Sequence, residues 1–113
     1  MIVYTDIQKA AIVSMVIEMI NADAEVTVEE FNETKLINVE LRVDNDIFLV
    51  GREMKMNTAL EIVRRMNDVK KIHTAQLLTR IIDADGRVRD EEIALLNSIC
   101  QQVGLDKILI DKQ

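Results

Sequence analysis

Ala22-Asp23-Ala24-Glu25-Val26-Thr27-Val28-Glu29-Glu30 returns 62 positions later as Ala84-Asp85-Gly86-Arg87-Val88-Arg89-Asp90-Glu91-Glu92. Five of the nine positions are identical. Each copy follows an apolar stretch of helical character and opens a second one, so the repeated unit is helix, tight acidic turn, helix. Two such units in a chain of 113 residues leave room for one core and one domain.

The composition agrees with a helical chain. There is no proline and only three glycines, the residues that break or weaken helix interiors. Apolar residues make up 49% and aromatics 3%, so the expected core is aliphatic with Met as filler. Asp6 to Asn21 reads as the first helix, capped by Thr5 or Asp6 and apolar nearly all round between Ala10 and Ile20, which predicts the centre of the fold. Thr27 to about Arg42 is the second, with Thr27 and Glu30 forming a capping box. Asp44-Asn45-Asp46 signals a turn. Ile47 to Met54 reads as a short helix packed by Phe48, against a competing hairpin with Val39 to Val43. Asn57 to Asn67 follows, with Thr58 and Glu61 as a second capping box. A helix capped by Asp68 then runs to Ala84, with Ile72, Leu77, Leu78, Ile81 and Ile82 facing the core. Asp90 to Val103 carries a stripe of Ile93, Leu96, Ile99, Cys100 and Val103. Gly86 and Gly104 fall just past helix ends, where a left-handed backbone suits glycine. Leu105 to Lys112 adds a final turn or two. The expectation is an all-α bundle of six or seven helices containing two pseudo-symmetric helix-turn-helix pairs.

The net charge is −6 and lies entirely in the first half, where residues 1–56 hold eleven acids against five bases; residues 57–113 hold nine of each. This balance disfavours binding to nucleic acid or anionic membranes through bulk charge and leaves cations and basic protein surfaces as natural ligands. Cys100 is the one cysteine, so an internal disulfide is excluded and a reducing cytoplasm is expected. The residues before Ala10 lack the basic character of a signal peptide, and the apolar run from Ala10 to Ile20, interrupted by Glu18, is too short to span a membrane.

Helix–A-D-G-x-V-x-x-x-E–helix at residues 84–92, with its divergent copy at 22–30, resembles the tellurite-resistance protein B (TerB-like) family. That fold is shared with the N-terminal cytoplasmic region of certain membrane-anchored DnaJ-type co-chaperones. The likeness covers nearly the whole chain. It implies a compact helical domain with an internal pseudo-twofold, a link to metal-stress responses, and acidic turns proposed to bind divalent metal. The motif falls on Asp85, Gly86, Val88 and Glu92 in the second copy and on Asp23, Val26 and Glu30 in the first. Ala24 departs from the family's glycine, and Arg87 stands where an acid is common, with Arg89 two residues on. Each of these cations opposes a bound metal by roughly 1 kcal/mol at surface dielectric.

The candidate metal ligands are therefore Asp23, Glu25, Glu29, Glu30, Asp85 and Glu92, oxygen donors suited to Ca²⁺ or Mg²⁺. The spacing is not that of an EF-hand: counted from Asp83, its fifth, sixth and twelfth positions are Arg87, Val88 and Ala94. The competing account is that carboxylates in a first helical turn meet the helix dipole and close the turn. Glu18 and Arg80 stand at the same 62-residue offset, each interrupting an apolar stretch, and either pair near a pseudo-twofold axis or face solvent. His73 is the lone histidine, which argues against zinc. Cys100 reads as a core residue, and no nucleophile triad, Walker loop or dinucleotide fingerprint is present. Arg64, Arg65, Lys70 and Lys71 make either a solvated face or a small basic patch. The expected function is a non-catalytic cytoplasmic binding or scaffold domain, stress-related and holding a divalent cation in its turns. Alternatives are a metal-dependent enzyme or an accessory subunit of one, and a protein–protein interaction module using an exposed surface around Met54 and Met56.

Overall fold

The computed structural model describes residues 2–22 and 25–105. These hold six α-helices and no strand: α1 (Asp6–Ile20), α2 (Val28–Glu40), α3 (Asn45–Glu53), α4 (Met56–Arg64), α5 (Asp68–Asp83) and α6 (Asp90–Gln102). The reading of 47–54 as a helix is right and the hairpin is not.

α1 is the central element because it has no polar side to offer water between Ala10 and Val16, all of which are buried. Thr5 starts it with a capping box: its hydroxyl accepts from the Gln8 amide while the Gln8 side chain accepts from the Thr5 amide. α3 and α4 lie closest along α1, and α5 packs beside it. Ile12, Met15, Met19, Ile37, Leu77, Leu78, Ile81 and Ile82 form the fully buried aliphatic centre.

α1–α2 and α5–α6 are the two helix-turn-helix pairs. α2 rests on α5 and α6 on α1, the crossed contacts that exchange of two equivalent pairs demands. α2 is held through a narrow stripe, with only Glu30 and Ile37 buried along its length. It ends in a Schellman closure: the Val43 amide donates to Asn38 O at 2.9 Å and the Arg42 amide to Val39 O at 3.1 Å. Arg42 takes the left-handed conformation there, φ 57°, in a position where glycine is usual. Gly86 and Gly104 adopt φ 75° and 82°, as their places past helix ends predict.

α3 departs from expectation in what packs it. Ile47 and Gly51, not Phe48, are its buried residues. Gly51 sits against α1 so closely that a Cβ there would lie 2.6 Å from Val13 Cβ and 2.7 Å from the Ala10 carbonyl oxygen. Asp44 caps this helix, its carboxylate accepting from the Ile47 amide at 2.8 Å.

Two further caps differ. α4 begins at Met56 behind Lys55, so the Thr58–Glu61 box does not form, and Glu61 turns instead to Arg64 and Arg65. α5 is capped by Asn67 rather than Asp68. On α6, Ile99 and Val103 are buried while Ile93 faces solvent. Leu105 is buried; the rest of the expected terminal turn lies outside the described residues. Among the described residues no helix is long and apolar enough to cross a membrane.

Candidate functional site

Glu30 and Glu92 stand at the third position of α2 and of α6, and their surroundings differ. In the first acidic turn, Asp23 and Ala24 lie outside the described residues. Glu25 and Glu29 are exposed, and Glu29 meets the amino end of α2 as the dipole favours. Glu30 is 1% exposed. One of its carboxylate oxygens accepts from both the Thr27 amide and the Thr27 hydroxyl at 3.1 Å, while Thr27 Oγ1 accepts from the Glu30 amide at 3.1 Å. The capping box expected from T-x-x-E is thus formed and holds the carboxylate inward.

In the second turn the position of Thr27 is taken by Arg89, and no side chain caps α6. Asp85 Oδ1 accepts from the Arg87 amide at 3.0 Å, closing the turn around Gly86. Asp85 Oδ2 lies 3.1 Å from an Arg89 guanidinium nitrogen, and the other terminal nitrogen lies 3.6 Å from Glu92 Oε1. Glu92, like Glu30, is 1% exposed. The Arg87 amide above all, and then the Arg89 guanidinium, hold the Asp85 carboxyl below its ordinary range. Of the two arginines, Arg87 is exposed and Arg89 is folded into the turn.

Among the described residues no three His, Cys, Asp or Glu side chains come together as a metal-binding group. Asp85 and Glu92 converge on Arg89, and Glu30 on Thr27. What the turn carboxylates do in the described structure is cap helices, close a turn and pair with a buried guanidinium.

Glu18 is exposed and does not meet Arg80. Arg80 instead bridges α5 to α2, with Nε 2.6 Å from a Glu33 oxygen and a terminal nitrogen 2.6 Å from a Glu40 oxygen. Glu18 and Arg80 are not brought together, because Arg80 points to Glu33 and Glu40 of α2. Arg64 and Arg65 both hydrogen-bond Glu61, pulling its carboxyl down to about 2. Half of the suggested basic patch is therefore already paired with an acid. Cys100 is half-buried against the core.

Met54 and Met56 are half-buried. Both pack against the core, and the Met54 carbonyl accepts from the buried Ser14 hydroxyl at 3.0 Å. Exposed apolar residues gather elsewhere. The outward side of α2 presents Val28, Phe31, Leu36 and Val39, the last 74% exposed, with Lys35 Nζ 4.7 Å above the Phe31 ring. α3 presents Leu49 and Val50 beside Ile7 of α1. The signal for the α2 stripe was in the sequence as apolar residues on both sides of one amphipathic pattern. Nothing in the pattern told which side met the core.

A polar cluster ties the start of the chain to α5. Tyr4 is buried, its hydroxyl 2.7 Å from His73 Nδ1 and donating to the Lys70 carbonyl at 3.3 Å, and its ring stacks on the imidazole. Lys70 Nζ lies 5.7 Å from the Tyr4 ring centroid and donates to Gln8 Oε1 at 2.9 Å. Burial pushes the Tyr4 hydroxyl up and the His73 imidazole down from their ordinary values.

The fold and its turns define an all-α bundle built on two helix-turn-helix pairs. It is similar to the crystal structure of a protein of unknown function from Porphyromonas gingivalis, with a TM-score of 0.78 and 21% identity over 92% of this chain and 88% of that one. No family model matches the chain, and a search of curated proteins gives no match.

Proposed function

We propose that this chain is a non-catalytic, cytoplasmic protein-binding domain of the TerB-like kind. The observation that carries the reading is where the exposed apolar side chains lie. Among the described residues, seven of the twelve large ones lie on the outward side of α2 (Val28, Phe31, Leu36, Val39) or on the α1–α3 side (Ile7, Leu49, Val50), and the other five lie elsewhere along the chain. Meanwhile the acidic residues that suggested chemistry hold the fold: Glu30 caps α2, and Asp85 and Glu92 face Arg89. A domain whose polar groups serve architecture and whose apolar groups face water is suited to contact another protein. The test is a photo-crosslinking residue placed at Val39, at Val50 or, as a control, at the exposed Gln76 of α5, in the native host. Crosslinks to protein at Val39 or Val50 and not at Gln76 are expected; none at either apolar position overturns the reading.

A divalent cation is the second reading, and it belongs to the first turn. Glu29 is exposed there at the amino end of α2, whereas in the second turn a guanidinium stands between Asp85 and Glu92. Calorimetric titration with Ca²⁺ and Mg²⁺ tests it: Glu25→Gln with Glu29→Gln abolishes binding and Asp85→Asn leaves it, and no heat at millimolar metal removes the cation altogether.

A further inference from the structure

We infer that the groove between α1 and α3 receives a cationic amphipathic helix of a partner protein, an inference that rests on the protein-binding reading above and names the site and the chemistry of its occupant. Ile7, Ala10, Ile47 and Val50 line a depression of about 290 Å³ whose edges are Asp6 and Asp46. Val50 also lines a wider, shallower depression of about 620 Å³ that continues over Leu49 and Met54, with Glu53, Lys55 and Thr58 on its walls. The two share Val50, so one apolar path runs from Ile7 to Met54. Val50 is 50% exposed and lies on the flank of α3, beside the Ile47 and Gly51 face that meets α1. α3 is nine residues long, about 13 Å, which matches two to three turns of an apposed helix.

Charge decides the occupant. Asp6 and Asp46 stand in first turns, where an acid stabilises its own helix, so their sign alone says little. Glu53 is different. It ends α3, where the dipole favours a cation, and its contact with Arg52 at 3.4 Å joins two largely exposed side chains that contribute little to stability. Three acids thus face one cation, Lys55, among the lining residues. They do so in the half of the chain that carries the whole net charge of −6. Such a groove repels phosphate-bearing ligands and draws an apolar stripe flanked by Lys or Arg.

The experiment uses the full chain and two labelled helical peptides that share one leucine stripe, flanked in one by lysines and in the other by glutamates. Fluorescence anisotropy at low and high salt should show the lysine peptide binding at least tenfold tighter, with the advantage lost at high salt. Val50→Asp should weaken it at least tenfold with an unchanged melting temperature, and Asp46→Asn with Glu53→Gln should remove most of the preference. Val39→Asp on α2 should leave binding as it was. Equal binding of both peptides, tighter binding of the glutamate peptide, or no binding of either overturns the inference. So does a Val39→Asp effect as large as that of Val50→Asp. Crosslinks at Val50 in the native host alongside any of these results would leave the protein-binding reading standing and sink only the partner's chemistry.

Discussion

Glu30 and Glu92 stand 62 residues apart at the third position of α2 and of α6, each 1% exposed, and each carboxylate meets a different answer to its burial. Glu30 turns to the amide and hydroxyl of Thr27; Glu92 turns to Arg89, the residue in Thr27's equivalent place. A buried carboxylate needs compensation, and the two halves supply it by a neutral cap and by an ion pair. These have unequal worth when removed. Thr27→Ala keeps the Thr27 amide bond to Glu30 and should cost about 1 kcal/mol, the usual loss for an N-cap. Arg89→Met leaves buried carboxylates facing one another without their cation and should cost about 3 kcal/mol. Urea unfolding of both variants measures this, and an Arg89→Met cost no larger than that of Thr27→Ala would falsify the assignment.

Gly51 should not tolerate alanine. In a helix interior alanine is ordinarily favoured over glycine by roughly 1 kcal/mol. Here the added Cβ would meet Val13 Cβ at 2.6 Å and the Ala10 carbonyl oxygen at 2.7 Å. Neither atom is the end of a flexible side chain, so α3 must move off α1, at about 2–3 kcal/mol by the measure of overpacked cores. The steric term wins. Val13→Ala should give at most partial rescue, since it removes Cγ1, 2.7 Å from the added Cβ, but leaves Val13 Cβ and the Ala10 carbonyl in place. A Gly51→Ala protein that melts at or above the parent temperature would show that the helices approach less closely.

Arg42 and Gly86 make a reciprocal pair. Arg42 carries a side chain at φ 57°, a conformation that costs an L-residue roughly 1–2 kcal/mol. Arg42→Gly should therefore raise stability by about 0.5–1 kcal/mol once the greater freedom of glycine in the unfolded chain is subtracted. Gly86 has φ 75°, and no atom lies within 4 Å of the point where a Cβ would stand, so Gly86→Ala should lose about 1 kcal/mol through the backbone alone. Thermal melts of the two variants should move in opposite directions; shifts of the same sign would refute the backbone account.

What the sequence made legible follows the range of the forces involved. Caps act within three or four residues, and Thr27–Glu30 was visible for that reason. The same T-x-x-E spelling at Thr58–Glu61 misled because the N-cap of α4 lies three residues earlier, at Lys55, which carries Glu61 beyond the first turn and toward Arg64 and Arg65. The apolar run of α1 announced its central place because every side of it needed covering. α2 did not announce its orientation: Ile37 and Val39 are both apolar, yet one is buried and the other faces water, a choice made by where α5 lies. Arg80 shows the same limit. Its offset from Glu18 reflects the duplication, but its partners Glu33 and Glu40 are set by packing across helices. The function of Arg89 was hidden for a related reason, since a cation in an acidic turn reads as an obstacle to metal until the turn is seen to close around it.

His73 should make stability depend on pH. It is stacked on Tyr4 with Nδ1 2.7 Å from the tyrosine hydroxyl, and the charged groups about it are Glu40, Arg80 and Lys70. Burial is the leading influence and lowers its proton affinity; Glu40 pulls the other way and Arg80 adds to the lowering. In the folded protein the imidazole therefore takes up a proton at lower pH than the ordinary 6.5. The unfolded chain binds that proton first as pH falls. Stability attached to the neutral ring is thus fully present above 6.5 and is lost as pH drops from 6.5 through the lowered folded value. Protonation fixes Nδ1 as a donor to the Tyr4 oxygen, whose own proton then has the Lys70 carbonyl as its acceptor. Denaturant unfolding between pH 7.5 and 5 should show a loss of stability in the parent that is smaller in His73→Asn, which keeps an acceptor for Tyr4 but has no proton to bind in this range. The depressed carboxyls of Asp85 and Glu61 titrate at more acidic pH and cancel in the comparison of the two proteins. An NMR titration that placed His73 at or above 6.5, or parallel pH dependences of the two proteins, would contradict the neutral, half-buried imidazole.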